Sequence, residues 1–347
     1  MKRFLRIRGS VATPLLLSSL LVTAFIAVQF GALALDLPAW AFWKESSEVK
    51  TALVSQSHVL WHVRIPRVVF AGLVGACLGF SGALTQALFR NPLAEPGLLG
   101  VSSGAACAAS VSIIVLAYIP YLNELAGHWL VLPLVTFFGA LSVCLLLDVI
   151  SRKLIAGSVS ALLLTGIALN ALTGAVIGLC AYIATDTQLR SLTFWTLGSL
   201  ANASWSLIGV ASILLISMCL FARTISQRLN ALMLSESIAR HIGVCLSCLR
   251  IRVIVLVALM AGFAVAFCGV IGFIGLAAPH LVRLIVGADL RAVFPLSGVV
   301  GAILLIASDT FARSVAAPAE VPVGVFTALL GSMFFFWLLA RYRRSAI

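Results

Sequence analysis

Apolar runs of about 20 residues, each ended by a charge, a proline or a glycine, repeat along nearly the whole chain. A helix needs about 20 such residues to cross the hydrocarbon core of a bilayer. The runs predict ten spans, at 11–33, 66–88, 98–118, 129–150, 158–182, 204–223, 251–268, 270–286, 295–314 and 322–340. Only Cys268 to Gly272 divides the seventh from the eighth. The expected fold is all-α and polytopic, with about ten transmembrane helices in one transmembrane domain over 1–347. An external loop at 34–63 and a long polar connection at 224–250 interrupt the pattern. Composition agrees: 62% of the 347 residues are hydrophobic and 10% are charged, which excludes a water-soluble globule of this length.

Within the second run, Gly72, Gly75, Gly79 and Gly82 recur at spacings of three and four. Such spacing puts four missing side chains on one helix face, where another helix can approach to backbone contact. After Gln86 the pattern stops, because Pro92 and Pro96 remove backbone donors and Gly97 and Gly100 permit turns that other residues resist. The NPLAEPG stretch is therefore a short, rigid connector between two spans. Non-helical backbone at membrane depth is tolerated only where protein covers it or it lines a water-filled path, which makes Asn91 to Gly97 a candidate gate or contact loop.

The formal charge of +12 is a matter of topology. With the N-terminus inside, 17 of the 23 basic residues fall on cytoplasmic segments, as the positive-inside bias requires. Both termini are then cytoplasmic, and no nucleic-acid partner needs to be invoked. The basic residues 2–8 before the first apolar run resemble a signal peptide, but the run is long and lacks a small-residue cleavage site; it is expected to remain as a span. Six of the eight cysteines lie in predicted spans, where Cys serves as a small apolar residue. Cys245 and Cys248 form a lone CxxC in the 224–250 connection, and with no second pair or strand–helix pattern beside it no metal or redox site is assigned.

His58 and His62, spaced i, i+4 near the start of the second span, have the spacing to share a metal or touch a haem, but interfacial polar residues near a span start need no special role and none is assigned to them. The 185–205 connection is too polar for lipid, yet Phe194, Trp195, Leu197 and Leu200 sit at helical spacing and predict a short helix across the external mouth. In 224–250, Ser235 is a helix cap, Glu236 sits near the positive helix end and Gly243 is the stop. Asp309 and Arg313 are spaced for an ion pair on one helix. No catalytic residues and no metal ligand set are assigned: there is no Ser/His pair, paired aspartates or HExxH, and no P-loop. An ion-coupled secondary transporter would carry charges at mid-membrane, whereas here almost every charge falls at a span boundary.

The longest motifs are RIPR (64–67), SGALTQALFRNPLAEPGLLGVSSGA (81–105), GFIGLAAPHLVR (272–283), the Asp309/Arg313 pair and EVPVGVFTALLG (320–331). Together they resemble the FecCD family, the permease subunits of ABC importers for iron chelates, haem and cobalamin, over roughly everything after residue 60. The resemblance implies the type II importer architecture: a homodimer in the bacterial inner membrane, in contact with lipid, with two ATPase subunits below and a periplasmic substrate-binding protein docked outside. It implies a cytoplasmic gate at Asn91, Leu93, Val159 and Ser160, and ATPase coupling through Ser235, Glu236, Ala239, Arg240 and Gly243, although Ser235 stands where a Gly is usual. It also implies that Arg64, Arg67 and Arg313, on the external side against the positive-inside bias, meet acidic residues of the binding protein. No cofactor is expected to be bound permanently; ATP is held by the partner subunit. The expected cargo is haem or another iron chelate such as a ferric siderophore, with cobalamin as the alternative. FWTLGSL (194–200) looks most like haem-importing members.

Overall fold

A computed structural model describes residues 9–31, 56–118, 130–154, 159–316 and 319–346 of the chain. Much of the expected external loop at 34–63 and the end of the connection before the fifth span lie outside the described residues. Helix α1 (Gly9–Gln29) leads to a π-helical turn (Val59–Arg64) that runs straight into α2 (Ile65–Phe89). There follow α3 (Val101–Tyr118), α4 (Val131–Leu154), α5 (Val159–Ile183), α6 (Asp186–Leu197) and α7 (Trp205–Leu234). The chain continues through α8 (Glu236–His241), α9 (Leu246–Cys268), α10 (Ile274–Val286), α11 (Leu290–Val315) and α12 (Val323–Ala346). Ten of these correspond to the ten predicted spans; α6 and α8 are the two short helices expected in the polar connections. Among the described residues seven helices are long and apolar enough to cross a membrane, and three apolar ones are shorter.

The centre of the bundle is α2. Of its residues only Ile65, Val69, Gly72 and Leu73 escape burial, as suits a helix apolar all round. Its glycine face does what the spacing predicts: a methyl group on Gly75 would strike the carbonyl of Gly301, one on Gly79 the carbonyl of Ser297, and one on Gly82 the carbonyl of Gly275. Helix α2 thus lies backbone to backbone against α11 and the start of α10. Gly72 is the exception, since a Cβ there would meet Ile306 at an ordinary 3.5 Å. Phe80 fills the space over Gly298 and stacks on Phe294 at 4.6 Å. At the periphery, α5 and α7 expose Leu164, Ile167, Leu172, Ile213, Ile216 and Leu220, an apolar outer surface that fits lipid or another apolar protein face.

Two expectations need correction. The eighth span, read as 270–286, is a helix of 13 residues, about 20 Å long at 1.5 Å per residue and short of the roughly 30 Å hydrocarbon core. The lost turns are spent on a bend: Gly269 (φ 71°) and Phe273 (φ 65°) are left-handed, and the Cys268 carbonyl accepts from Ser199 N at 2.8 Å instead of continuing a helix. The bend is covered by protein, because a Cβ on either Gly198 or Gly324 would come within 2.9 Å of the Val270 carbonyl. Helix α7, expected to end near 223, continues to Leu234. Ile225, Leu229 and Leu232 are buried at spacings of four and three, so an amphipathic face carries the helix into what the polar residues alone marked as loop.

Candidate functional site

Helix α1 starts at one end of the bundle, called here the near end, and finishes at the far end. The near end holds the connector between α2 and α3. Arg90 closes α2 in the left-handed region (φ 50°), with its N–H donating to Ala87 O and Asn91 N to Gln86 O. Asn91 then turns the chain with its own side chain: Oδ1 accepts from Leu93 N at 2.9 Å, and its carbonyl accepts from Ala94 N at 3.1 Å, an Asx-type turn. Asn91 and Leu93 are exposed. Pro96 to Leu99 form one 3₁₀ turn, ended by Gly100 at φ 80°. Burial pushes the Glu95 carboxyl up from its ordinary range.

What holds this connector was not evident beforehand. Asn170 of α5 donates to the Gly97 carbonyl at 3.4 Å and is hydrogen-bonded to Ser103 of α3 at 2.5 Å. Gly166, one turn earlier, lets α5 come against the Leu98 carbonyl. Val159 and Ser160, expected at the gate, open α5, and Ser160 is exposed; the described contact between α5 and the connector runs through Gly166 and Asn170. From below, Gln86 donates to the Leu276 carbonyl at 3.2 Å and accepts from Arg283, which ties the end of α2 to α10.

The short helix α8 matches its sequence signals residue by residue. Ser235 Oγ accepts from Ile238 N at 3.0 Å, Glu236 stands in the first turn, and Ala239 is fully buried under the helix. The stop is a Schellman motif: Gly243 at φ 80° donates to Arg240 O, and Val244 N to Ala239 O at 2.9 Å. Glu236 pairs with Arg240 at 3.8 Å and with Arg90 at 3.2 Å. The second pair joins α8 to the connector and spans 146 residues of sequence. Nearby, Asp289 caps α11 by accepting from Arg291 N at 3.0 Å, and it also accepts from Asn230 Nδ2 at 2.7 Å, while Asn230 Oδ1 accepts from Leu290 N. The Arg291 backbone N–H and the Asn230 amide hold the Asp289 carboxyl below the usual carboxylate range.

At the far end, Arg64, Arg67 and Arg313, expected to meet acidic residues of a binding protein, are held inside the bundle, and the expected Asp309–Arg313 pair is present. The three arginines are 4%, 7% and 7% exposed. Arg67 donates through Nε and Nη2 to Asp309 at 2.9–3.1 Å and through Nη1 to Glu320 at 2.9 Å. Arg313 lies 3.6 Å from Asp309 and donates to the Ala27 carbonyl. Arg64 donates to the Val28 and Gln29 carbonyls at 3.1 and 2.9 Å. Two arginines thus bind the last carbonyls of α1, the negative end of that helix, and the buried Asp309 balances the charge. Half of the Glu320 side chain remains accessible. His58 and His62, on the turn before α2, stack their rings at 4.4 Å and are exposed; no group of three metal-ligating side chains occurs among the described residues.

Buried helices in backbone contact, a helix two-thirds of the membrane's thickness beside a protein-covered bend, and charge clusters at the two ends are those of a multi-pass membrane protein. The family model described as the FecCD transport family matches residues 16–341, and the chain belongs to that family. It is 40% identical to the hemin transport system permease protein HmuU of Yersinia pestis, over 98% of both chains. It is 38% identical to the vitamin B12 import system permease protein BtuC of Vibrio cholerae, over 94% of this chain and 95% of that one. Among solved structures, a metal-chelate type ABC transporter in an inward-facing conformation superposes with a TM-score of 0.80 at 32% identity, covering 94% of this chain and 97% of that one. The chain is therefore a transport permease subunit and not itself an enzyme.

Proposed function

We propose that this chain is the membrane subunit of an ATP-driven importer that carries an iron complex, haem above all, across the bacterial inner membrane. Two copies form the path, two ATPase subunits dock at the near end, and a periplasmic binding protein docks at the far end. The near end is cytoplasmic, which puts both termini inside. The exposed apolar face of α5, where Gly174 and Gly178 leave open space, suits contact with the second copy. Haem is the first cargo because the hemin permease of Yersinia pestis aligns over nearly the whole of both chains at 40% identity; cobalamin is the second reading, from the similarity to BtuC.

The observation that carries this mechanism is the Arg90–Glu236 pair at 3.2 Å. It gives a docking helix a handle on the gate connector, so that displacement of α8 by the ATPase pulls on the residue that closes α2. Both side chains are partly exposed, and such a pair contributes roughly 0.2–1 kcal/mol, enough to bias a gate without locking it. The test is charge exchange in the reconstituted importer. Arg90→Glu alone, or Glu236→Arg alone, is expected to raise the ATP consumed per cargo moved, and the double exchange to restore much of the ratio. Unchanged coupling in both single variants, with the ATPase bound, contradicts the link.

A further inference from the structure

We propose that Cys245 and Cys248 form a reversible dithiol/disulfide site that reacts with small acidic disulfides of the glutathione type and thereby sets the stiffness of the α8–α9 turn. The sequence gives the pair no role; the structure supplies three reasons to assign one. First, the two Cα atoms are 5.4 Å apart and the sulfurs are joined, within the 4.4–6.8 Å or so over which a disulfide closes without moving backbone. Second, Cys245 is the N-cap of α9, a helix of 23 residues, and its sulfur accepts from Cys248 N at 3.4 Å. Third, both cysteines are exposed and line a cavity of about 440 Å³ with Arg228, Arg252 and Gln227.

The chemistry follows from that setting. The attacking species in thiol–disulfide exchange is the thiolate, and a helix N-terminus beside arginines stabilises it. The same two arginines suit the carboxylates of a glutathione-type peptide. The Cys245 thiolate attacks one sulfur of the oxidised peptide, expels one thiolate and is left in a mixed disulfide. The Cys248 thiolate then attacks the Cys245 sulfur and expels the second. Two protein thiols give up two electrons and two protons; the small disulfide takes both electrons and leaves as two thiols. The other six cysteines are buried or half-buried and unpaired, so they are not expected to take part.

The turn in question, 242–248, begins at the end of α8. Closing the disulfide restricts Cys245 to Cys248 immediately after Gly243 and Val244, whose N–H groups cap α8. The effect on transport rests on the proposal that α8 docks the ATPase; the redox site does not. The experiment uses the full chain in lipid nanodiscs, equilibrated in buffers from fully reduced to fully oxidised glutathione, quenched in acid, alkylated and read by peptide mass. The Cys245/Cys248 peptide is expected to pass from more than nine-tenths dithiol to more than nine-tenths disulfide as one two-electron step. Cys248→Ser is expected to hold the mixed disulfide on Cys245, and Cys245→Ser to react at least tenfold more slowly. A pair that stays in one state in every buffer, or two serine variants that react equally, overturns the site. Hydrogen exchange of 239–249 is expected to slow at least threefold on oxidation in the parent and not in the serine variants; equal rates overturn the stiffening. ATPase binding is then compared between the two redox states. A difference of threefold or more, absent from the serine variants, supports the regulatory step, and equal affinity refutes it. An ATPase that binds in neither state counts against α8 docking and leaves the redox result standing.

Discussion

Removal of Asp309 tests the far-end network most sharply. Asp309 is 1% exposed and accepts from Arg67 at 2.9, 3.0 and 3.1 Å, with Arg313 at 3.6 Å. In Asp309→Ala both guanidinium groups stay buried. Arg313 keeps the Ala27 carbonyl, and Arg67 keeps Glu320, whose side chain is 49% exposed. Breaking a buried ion pair by deleting one partner costs about 3–5 kcal/mol, because the remaining charge is uncompensated. Against total stabilities of about 5–15 kcal/mol, that is a large fraction. Glu320→Gln keeps a neutral acceptor at a half-solvated position and is expected to cost less than about 1 kcal/mol. The double change Arg67→Met with Asp309→Leu removes both charges of the tightest pair and is expected to be less harmful than Asp309→Ala alone. Reversible chaotrope unfolding in lipid–detergent micelles measures all three. A cost for Asp309→Ala below about 1 kcal/mol, or equal to that of Glu320→Gln, refutes the reasoning that burial makes Asp309 the keystone of the cluster.

Gly82→Ala places a methyl group on the Gly275 carbonyl and is expected to cost about 1–3 kcal/mol by overpacking, while Gly72→Ala, with an open 3.5 Å contact, changes stability by less than about 0.5 kcal/mol; the same unfolding assay separates them. Asn91→Ala removes the acceptor for Leu93 N and Leu93→Gly removes the exposed apolar side chain, so each is expected to let trapped cargo leak from vesicles without ATP; retention as good as the parent's removes the pair from the gate. The depressed carboxyl of Asp289 contributes stability that is fully present above its unfolded value of about 3.9 and is lost as pH falls through the lower folded value. The stability difference between parent and Asp289→Asn is therefore expected to be flat above about pH 5 and to shrink below about pH 4; a difference independent of pH argues against the cap.

Those contrasts mark what the sequence makes legible. Local signals read well: the glycine spacing of α2, the proline-bounded connector, and the Ser235 and Gly243 ends of α8 each rest on residues within a few positions of one another. Partnerships at long range do not. Arg67 and Asp309 are 242 residues apart, and nothing at the predicted span ends shows that α1 brings its last carbonyls to Arg64 and Arg313. Asn170 and Gly166 inside α5 carry no polar pattern that points to the connector. The shortness of α10 is equally hidden, because an apolar stretch has the same hydropathy whether it is a full helix or a bend covered by protein. The signals that did exist were Gly269 and Gly272, which mark the break but not its length.

ATP-driven uptake tests the central claim most directly. The chain is reconstituted in proteoliposomes with its ATPase and binding protein and offered haem, a ferric siderophore and cobalamin in turn. The account predicts ATP-dependent accumulation of the iron complex, with haem the fastest, and its loss when the ATPase is left out. Accumulation driven by an ion gradient without ATP, or ATP-driven uptake of cobalamin with no uptake of either iron complex, would contradict it.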